Sequence, residues 1–340
     1  MKKTLWLFIA LAATPTFASD LLINGAGATF PYPLYSKWFS EYNKLHPELK
    51  FNYQSIGSGG GIQQITNNTI DFGASDAPMS DEELAKADDV VHLPMVMGAV
   101  VVTHNGGPEG LKLSRATLAG IFLGTITRWN DKAIAQDNPG AKLSDNDIAV
   151  VHRSDGSGTT AIFTDYLAKV SPEWKAKVGA GKSVKWPVGL GAKGNEGVTG
   201  MVKQTPGAIG YVELAYANQT KLPVAALRNA AGELVTPSVE ATSLAAAEAA
   251  LPDDLRTSIT DAPGKGAYPI AAFTYLLVRK DQKDPSRGPA LLHFVEWAIH
   301  DGQKLAGPLD YAPLPKSVVE KVEAKVKSMT VQGKNLASAK

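Results

Sequence analysis

Four short segments rich in glycine and hydroxyl side chains fall where an apolar run gives way to an amphipathic one: Gly25-Ala26-Gly27-Ala28-Thr29-Phe30, Gly57-Ser58-Gly59-Gly60-Gly61, Ser75-Asp76-Ala77, and Arg153-Ser154-Asp155-Gly156-Ser157-Gly158-Thr159-Thr160. Each follows a predicted strand and precedes a predicted helix, so each offers main-chain N–H groups that the helix itself leaves unpaired. Such a terminus, at the positive end of the helix dipole, is an anion site, and glycine lets the backbone come close. One such segment is only a helix cap. Several at strand C-termini converge on a single cleft, where open α/β sheets hold their ligands. One cation, Arg153, belongs to the set, and Asp155 is placed to fix its planar guanidinium. Asp76 is the odd member, because a carboxylate repels an anion unless the anion carries a hydrogen.

That condition selects among anions. Monohydrogen or dihydrogen phosphate donates a hydrogen bond to a carboxylate, whereas sulfate near neutral pH sets acceptor against acceptor. An unpaired buried charge costs at least about 1–3 kcal/mol, and sites built around a ligand hydrogen bond reject analogues lacking it by roughly 10⁴-fold. Arsenate is also protonated near neutral pH and is not separated by this reasoning. Other chemistries are approached and missed. Gly156 to Ala161 fits G-x-G-x-x-A and Gly189 to Gly194 fits G-x-G-x-x-G, but neither has the acidic partner of a dinucleotide site. Gly181-Lys182-Ser183 imitates the end of a P-loop with Ala176 where its first glycine belongs. Gly73-Ala74-Ser75-Asp76-Ala77 misses the nucleophile elbow at its last position, and the six histidines show no metal-ligand spacing. No cofactor, no metal and no catalysis are expected; the alternative class is an envelope phosphatase or hydrolase acting through Ser75 or Ser157.

The elements that must position these residues read as α/β. The chain has 340 residues, with 34 Lys+Arg, 33 Asp+Glu and no Cys, which excludes disulfides, thiol catalysis and a strongly basic nucleic-acid surface. Lys2 and Lys3 precede an apolar run from Leu5 to Ala13, and Thr16-Phe17-Ala18 ends in a small residue, so residues 1–18 read as a cleaved export signal and the mature chain as a periplasmic protein. The run is shorter than the roughly 20 residues that span a bilayer, so membrane insertion is not expected. Leu21 to Asn24, Lys50 to Ile56 and Ile70 to Ala74 read as strands, alternating with helices Pro33 to Leu45 and Gly60 to Asn67, a parallel pattern. In the first helix Leu34, Trp38, Tyr42 and Leu45 share a face, and Ser80 with Glu83 reads as a capping box opening Asp81 to Ala87. Two long apolar strands, Val96 to Thr103 and Ile270 to Arg279, enclose a separate series: Ile148 to His152, Thr159 to Val170, Val184 to Val188 and Ala208 to Glu213. The chain therefore leaves a first lobe near residue 100 and returns near 268. Lobe one comprises 19–100 plus 268–330, completed by helices Pro289 to Ala306 and Ser317 to Lys327; lobe two is 101–267, and 331–340 is a polar tail. Two strands join the lobes as a hinge, with the ligand between them.

The segments GAGATFP (25–31), IGSGGG (56–61), DFGASDAPMSDEEL (71–84), RSDGSGTT (153–160), KWPVGLGAKGN (185–195), GAIGYVELAYA (207–217) and LDYAPLP (309–315) carry a family resemblance. From about Asn24 to about Lys325 the chain resembles the periplasmic phosphate-binding proteins of bacterial phosphate-specific ABC transporters. The resemblance implies a two-lobed periplasmic binding protein, type II-like, with each lobe a mixed sheet flanked by helices. It implies a monomer that binds inorganic phosphate through Thr29, Phe30, Ser58, Asp76, Arg153, Ser157, Gly158 and Thr159, with Asp155 as the partner of the arginine. It also implies delivery to membrane permease subunits, whose ATPase partners do the hydrolysis. The chain departs from the family where a second serine often follows Ser58: here that position is Gly59.

Overall fold

A computed structural model describes residues 20–247 and 249–335. The export signal expected over 1–18 and the end of the tail lie outside them. Eight strands form one curled sheet: β1 Leu21–Gly27, β2 Leu49–Ser55, β3 Phe72–Ser75, β4 Val90–Asn105, β5 Ala149–Arg153, β6 Leu190–Ala192, β7 Ala208–Glu213 and β8 Ala271–Arg279, in spatial order β2-β1-β3-β8-β4-β7-β5-β6. The outer strands pair in parallel on each side, β2 with β1 with β3 and β7 with β5 with β6. At the centre β8 is antiparallel to β3 and β4, and β4 to β7. The parallel pairs need helical crossovers, and these cover the sheet.

The long strand β4 does two jobs in succession. Val90 to Ala99 pairs with β8, and Val100 to Asn105 pairs with β7, so one strand passes from one half of the sheet to the other. All but two of its sixteen residues are buried, which explains its near-continuous apolar run. Its register against β8 shifts between Thr274 and Tyr275, which pair with Val96 and Pro94 and leave Met95 unpaired. Pro94 cannot donate to the ladder, and the extra residue is a bulge.

Helix α1 (Tyr32–Leu45) begins with Pro31 at its N-cap and Pro33 in its first turn, positions where a missing N–H costs nothing. Leu34, Tyr35, Trp38 and Tyr42 are buried, but Leu45 is 61% exposed. At the last position of the helix Leu45 lies beyond the surface that the stripe packs on. Phe39, Phe51 and Phe294 pack together with ring centroids 4.6–5.4 Å apart, fastening α1 to β2 and to the helix Arg287–Ile299.

The remaining helices that bear on the site are α2 Ser58–Thr66, α3 Asp81–Leu84, α4 Gly158–Val170, α5 Gly194–Gln204, α6 Arg287–Ile299 and α7 Lys316–Lys327. Ser80 and Glu83 make the expected reciprocal capping box at α3. Three sequence expectations are corrected. Val184 to Val188 is a loop and not a strand; Trp186 stacks on His152 at 4.7 Å, Pro187 lacks an N–H, and the edge strand forms at Leu190–Ala192 instead. The helix predicted over 289–306 ends at Ile299 and continues as a 3₁₀ turn, Asp301–Leu305, where the Gly302 carbonyl accepts from Trp38 Nε1 at 2.7 Å. The polar stretch after residue 330 begins as a small hairpin, Thr330–Val331 with Lys334–Asn335, beside Asp281–Gln282. No helix among the described residues is long and apolar enough to cross a membrane.

Candidate functional site

The C-terminal ends of β1, β3 and β5, and the start of α2 after β2, meet at one place. Ser58, the first residue of α2, makes the junction: its Oγ accepts from the N–H of Gly158 at 3.1 Å and from the N–H of Asp76 at 3.2 Å. One hydroxyl thus touches the start of α4, the end of β3 and the start of α2. Gly59 N–H donates to Gly156 O at 2.8 Å, and a Cβ on Gly59 would lie 3.1 Å from Gly156 Cα. The absent second serine therefore falls where two backbones approach closely, and the N–H that remains is used across the junction.

All eight residues expected from the sequence are brought together and buried. Thr29 and Thr159 both accept from Asn195 Nδ2, at 2.7 and 3.1 Å. Ser157 caps α4, its Oγ accepting from Thr160 N–H at 3.0 Å, so its own hydroxyl hydrogen is left to donate outward. Among the described residues, the N–H groups of Phe30 and Thr159 have no acceptor in the chain. Phe30 is held from behind, with its carbonyl accepting from Tyr311 OH at 2.6 Å, and the Thr29 carbonyl accepts from Tyr216 OH at 2.5 Å. This turn is rigid because both of its carbonyls are tied down by buried phenols.

Arg153 and Asp155 form the expected fork. Nε donates to Oδ1 at 2.8 Å, Nη2 to Oδ2 at 2.6 Å, and Nη1 to Thr159 Oγ1 at 3.3 Å. Of the five guanidinium N–H donors, two remain for a guest. Burial pushes the Asp155 carboxyl up, but the Arg153 contacts and the Gly194 N–H outweigh it and hold it below the usual range. The Arg153 charge is thus largely spent on Asp155, and an anion here relies on main-chain N–H groups and the two helix N-termini of α2 and α4.

Asp76 is the other charge, 3% exposed. Its Oδ1 accepts from Thr274 Oγ1 at 2.8 Å, and its Oδ2 lies 3.4 Å from Ser58 Oγ. Burial pushes its pKa up to about 7, with the Thr274 hydroxyl, Arg153 and Ser58 opposing only in part. Thr274 was missed in the sequence, although it is the one aliphatic hydroxyl in the apolar strand β8; it sits beside the bulge of β4. Asn195 lies in a segment that carries the resemblance but drew no role. Tyr216 and Tyr311 drew none either.

No cluster of His, Cys, Asp or Glu among the described residues is arranged to hold a metal. Ser75 Oγ donates to the Ala77 carbonyl, and Ser157 Oγ is engaged as a cap. The buried imidazoles are occupied elsewhere: His92 Nε2 accepts from Met79 N–H and His104 Nδ1 from Gly107 N–H, and burial pushes both rings down to about 4. What the arrangement offers chemically is a set of hydrogen-bond donors suited to a small anion, with the Asp76 carboxylate as an acceptor on the wall.

Comparison with known proteins agrees with this geometry. The model of the PBP superfamily domain matches residues 12–301. The chain is 51% identical over 323 residues to the phosphate-binding protein PstS of Xylella fastidiosa strain Temecula1, covering 93% of this chain and 88% of that one. It is 47% identical to the phosphate-binding protein PstS of Pasteurella multocida, covering 96% of each. Among solved structures it resembles PfluDING, a high affinity periplasmic phosphate-binding protein bound with phosphate, with a TM-score of 0.72 and 23% identity over 89% of this chain and 93% of that one. The phosphate-binding protein from Stenotrophomonas maltophilia gives a TM-score of 0.69 at 20% identity, over 90% and 94%. These two show the fold, a mixed α/β, two-lobed one. With its sheet, its convergent helix termini and this degree of identity, the chain belongs to the PBP superfamily and, within it, to the phosphate-binding protein PstS family.

Proposed function

We propose that this protein is an inorganic phosphate receptor of an ABC importer, and that Thr29, Phe30, Ser58, Asp76, Arg153, Ser157, Gly158 and Thr159 hold the anion, with Asp155 orienting Arg153. The observation that carries the reading is Asp76: a single buried carboxylate in a ring of donors, held by Thr274 and Ser58 and not by a cation. Such a wall welcomes a tetrahedral anion that still bears a hydrogen and refuses one that does not. The main-chain donors and helix termini supply the rest, and in a water-excluded cleft they count for far more than at a surface.

The two halves of the sheet are read as lobes, 19–100 plus 268–330 and 101–267, which close over phosphate. The hinge is where β4 changes partner at Ala99–Val100 and where Val100 N–H donates to Ile270 O at 2.8 Å. The closed form then docks on membrane permease subunits in the periplasm after residues 1–18 are removed. Against the catalytic alternative, no hydrogen bond among the described residues joins a His, Asp or Glu side chain to the Ser75 or Ser157 hydroxyl; Ser75 donates to the Ala77 carbonyl and Ser157 caps a helix. Retention of radiolabelled phosphate by the dialysed mature protein, run beside a phosphomonoester turnover assay, tests the reading: binding without turnover supports it, and turnover or failure to retain phosphate overturns it.

A further inference from the structure

Asn195 is the second residue of α5 and is completely buried. Gly194 before it has φ +73°, which turns the chain so that Gly194 N–H reaches Asp155 Oδ1 at 3.1 Å and Asn195 N–H reaches Thr29 Oγ1 at 3.2 Å. The side-chain amide has a defined orientation, because its Oδ1 accepts from Glu213 N–H at 2.9 Å. A main-chain N–H can only donate, so the carbonyl end faces it and the NH₂ end faces the two threonines.

The two amide hydrogens are divided between the cleft walls. One goes to Thr29 Oγ1 at 2.7 Å, after β1, and the other to Thr159 Oγ1 at 3.1 Å, in α4. Each hydroxyl oxygen has a second donor as well: Asn195 N–H on Thr29, and Arg153 Nη1 at 3.3 Å on Thr159. A hydroxyl has two lone pairs and one hydrogen. With both lone pairs filled, and no protein acceptor for either hydroxyl among the described residues, the hydrogen is all that Thr29 or Thr159 has to offer a guest.

We propose that Asn195 is a positioning residue that makes Thr29 and Thr159 obligate hydrogen-bond donors, so that neither competes with Asp76 for a hydrogen on the bound anion. Asn195 does not touch the anion. It sets the polarity of two groups that do, so that the Thr29 and Thr159 hydroxyls cannot turn to become acceptors beside Asp76. This deepens the phosphate reading and rests on it.

The test is a double-mutant cycle on phosphate affinity, with wild type, Thr159→Val, Asn195→Asp and the double variant. Thr159 and Asn195 lie in the same half of the sheet, so their mutual contact does not depend on cleft closure. Asp at 195 has the shape of Asn but only acceptors, so it draws the Thr159 hydrogen away from the guest. In wild type, Thr159→Val removes a hydrogen bond to a charged group and weakens phosphate binding by about 10-fold or more. In the Asn195→Asp background the same change costs less than about 3-fold. An Asn195 that merely braces α5 predicts the same cost in both backgrounds, and that result overturns the inference while leaving phosphate binding intact. A wild type that does not bind phosphate overturns the functional reading and this inference together. A neutron structure of the phosphate-loaded wild type needs no variant to fold: deuterium on both threonine hydroxyls directed at phosphate oxygens supports the inference, and either one directed at Asn195 or another protein group overturns it.

Discussion

Replacing Asp76 by Asn isolates the acceptor on the cleft wall. The carboxyl is enclosed, touched by the Thr274 and Ser58 hydroxyls, and its pKa is pushed up to about 7 from 3.8, chiefly by burial. A rise of roughly 3 units, at about 1.4 kcal/mol each, makes the ionised form cost about 4 kcal/mol at this buried position. Because the folded-state pKa is the higher one, the folded protein binds this proton more tightly than the unfolded chain. The contribution to stability is therefore most favourable below pH 4, falls as pH rises towards 7, and is constant and unfavourable above. A guest that donates a hydrogen offsets that cost, and sulfate leaves it in place. Asp76→Asn removes the charge and offers an NH₂ group to a bare oxygen. The sulfate-to-phosphate affinity ratio should rise at least ~100-fold, equivalent to about 2.7 kcal/mol, mostly through tighter sulfate binding. The part of the pH dependence of melting that comes from this group should also vanish between pH 4 and 7. Calorimetric titration with both anions, and thermal melts across that pH range, measure the two effects. A ratio within about 3-fold of wild type, with an unchanged melting profile, refutes the role given to the carboxyl.

Three further outcomes follow from the same geometry. Arg153→Ala should weaken phosphate binding by about 100-fold or more, and Asp155→Ala by less, because the guanidinium keeps its charge and its Thr159 contact; equal small losses by calorimetry would make the fork structural only. Gly158→Ala would place a Cβ 2.4 Å from Ser58 Oγ and 2.6 Å from Asp76 Oδ2, so phosphate affinity should fall by more than about 100-fold while the melting temperature without phosphate changes little. At the rim, Lys182 pairs with Glu83 at 2.7 Å and Arg256 with Asp81 at 2.8 Å, both reaching α3 from the other side of the cleft. Each pair is partly solvated, so Lys182→Ala should cost only a few-fold in affinity and should reduce the dependence of affinity on salt, read by titration at two ionic strengths.

The parts of this fold that rest on local physics were readable from the residues. Strand, glycine-hydroxyl turn and helix recur, and because every such turn follows a strand C-terminus, the convergence of Thr29, Ser58, Asp76 and Ser157 could be inferred before any coordinates. The capping box at Ser80 and the proline entry of α1 are equally local. What escaped depends on distant partners. Thr274 becomes a site residue only through a one-residue register shift against Pro94, and Asn195 only because Glu213 N–H, at the end of strand β7, turns its amide. The loop at 184–188 shows the converse: its apolar residues look like a strand, but Trp186 is used against His152 and Tyr211 and not in a ladder. Leu45 satisfies the helical period and still faces water, since periodicity does not say where the packing surface ends.

The most direct test is titration of the phosphate-free wild-type protein with phosphate and sulfate side by side near pH 7.5. One phosphate per chain bound at micromolar affinity or tighter, with sulfate undetectable at millimolar concentration, is the result that a hydrogen-reading cleft requires. Comparable binding of the two anions, or no heat from phosphate, would contradict it.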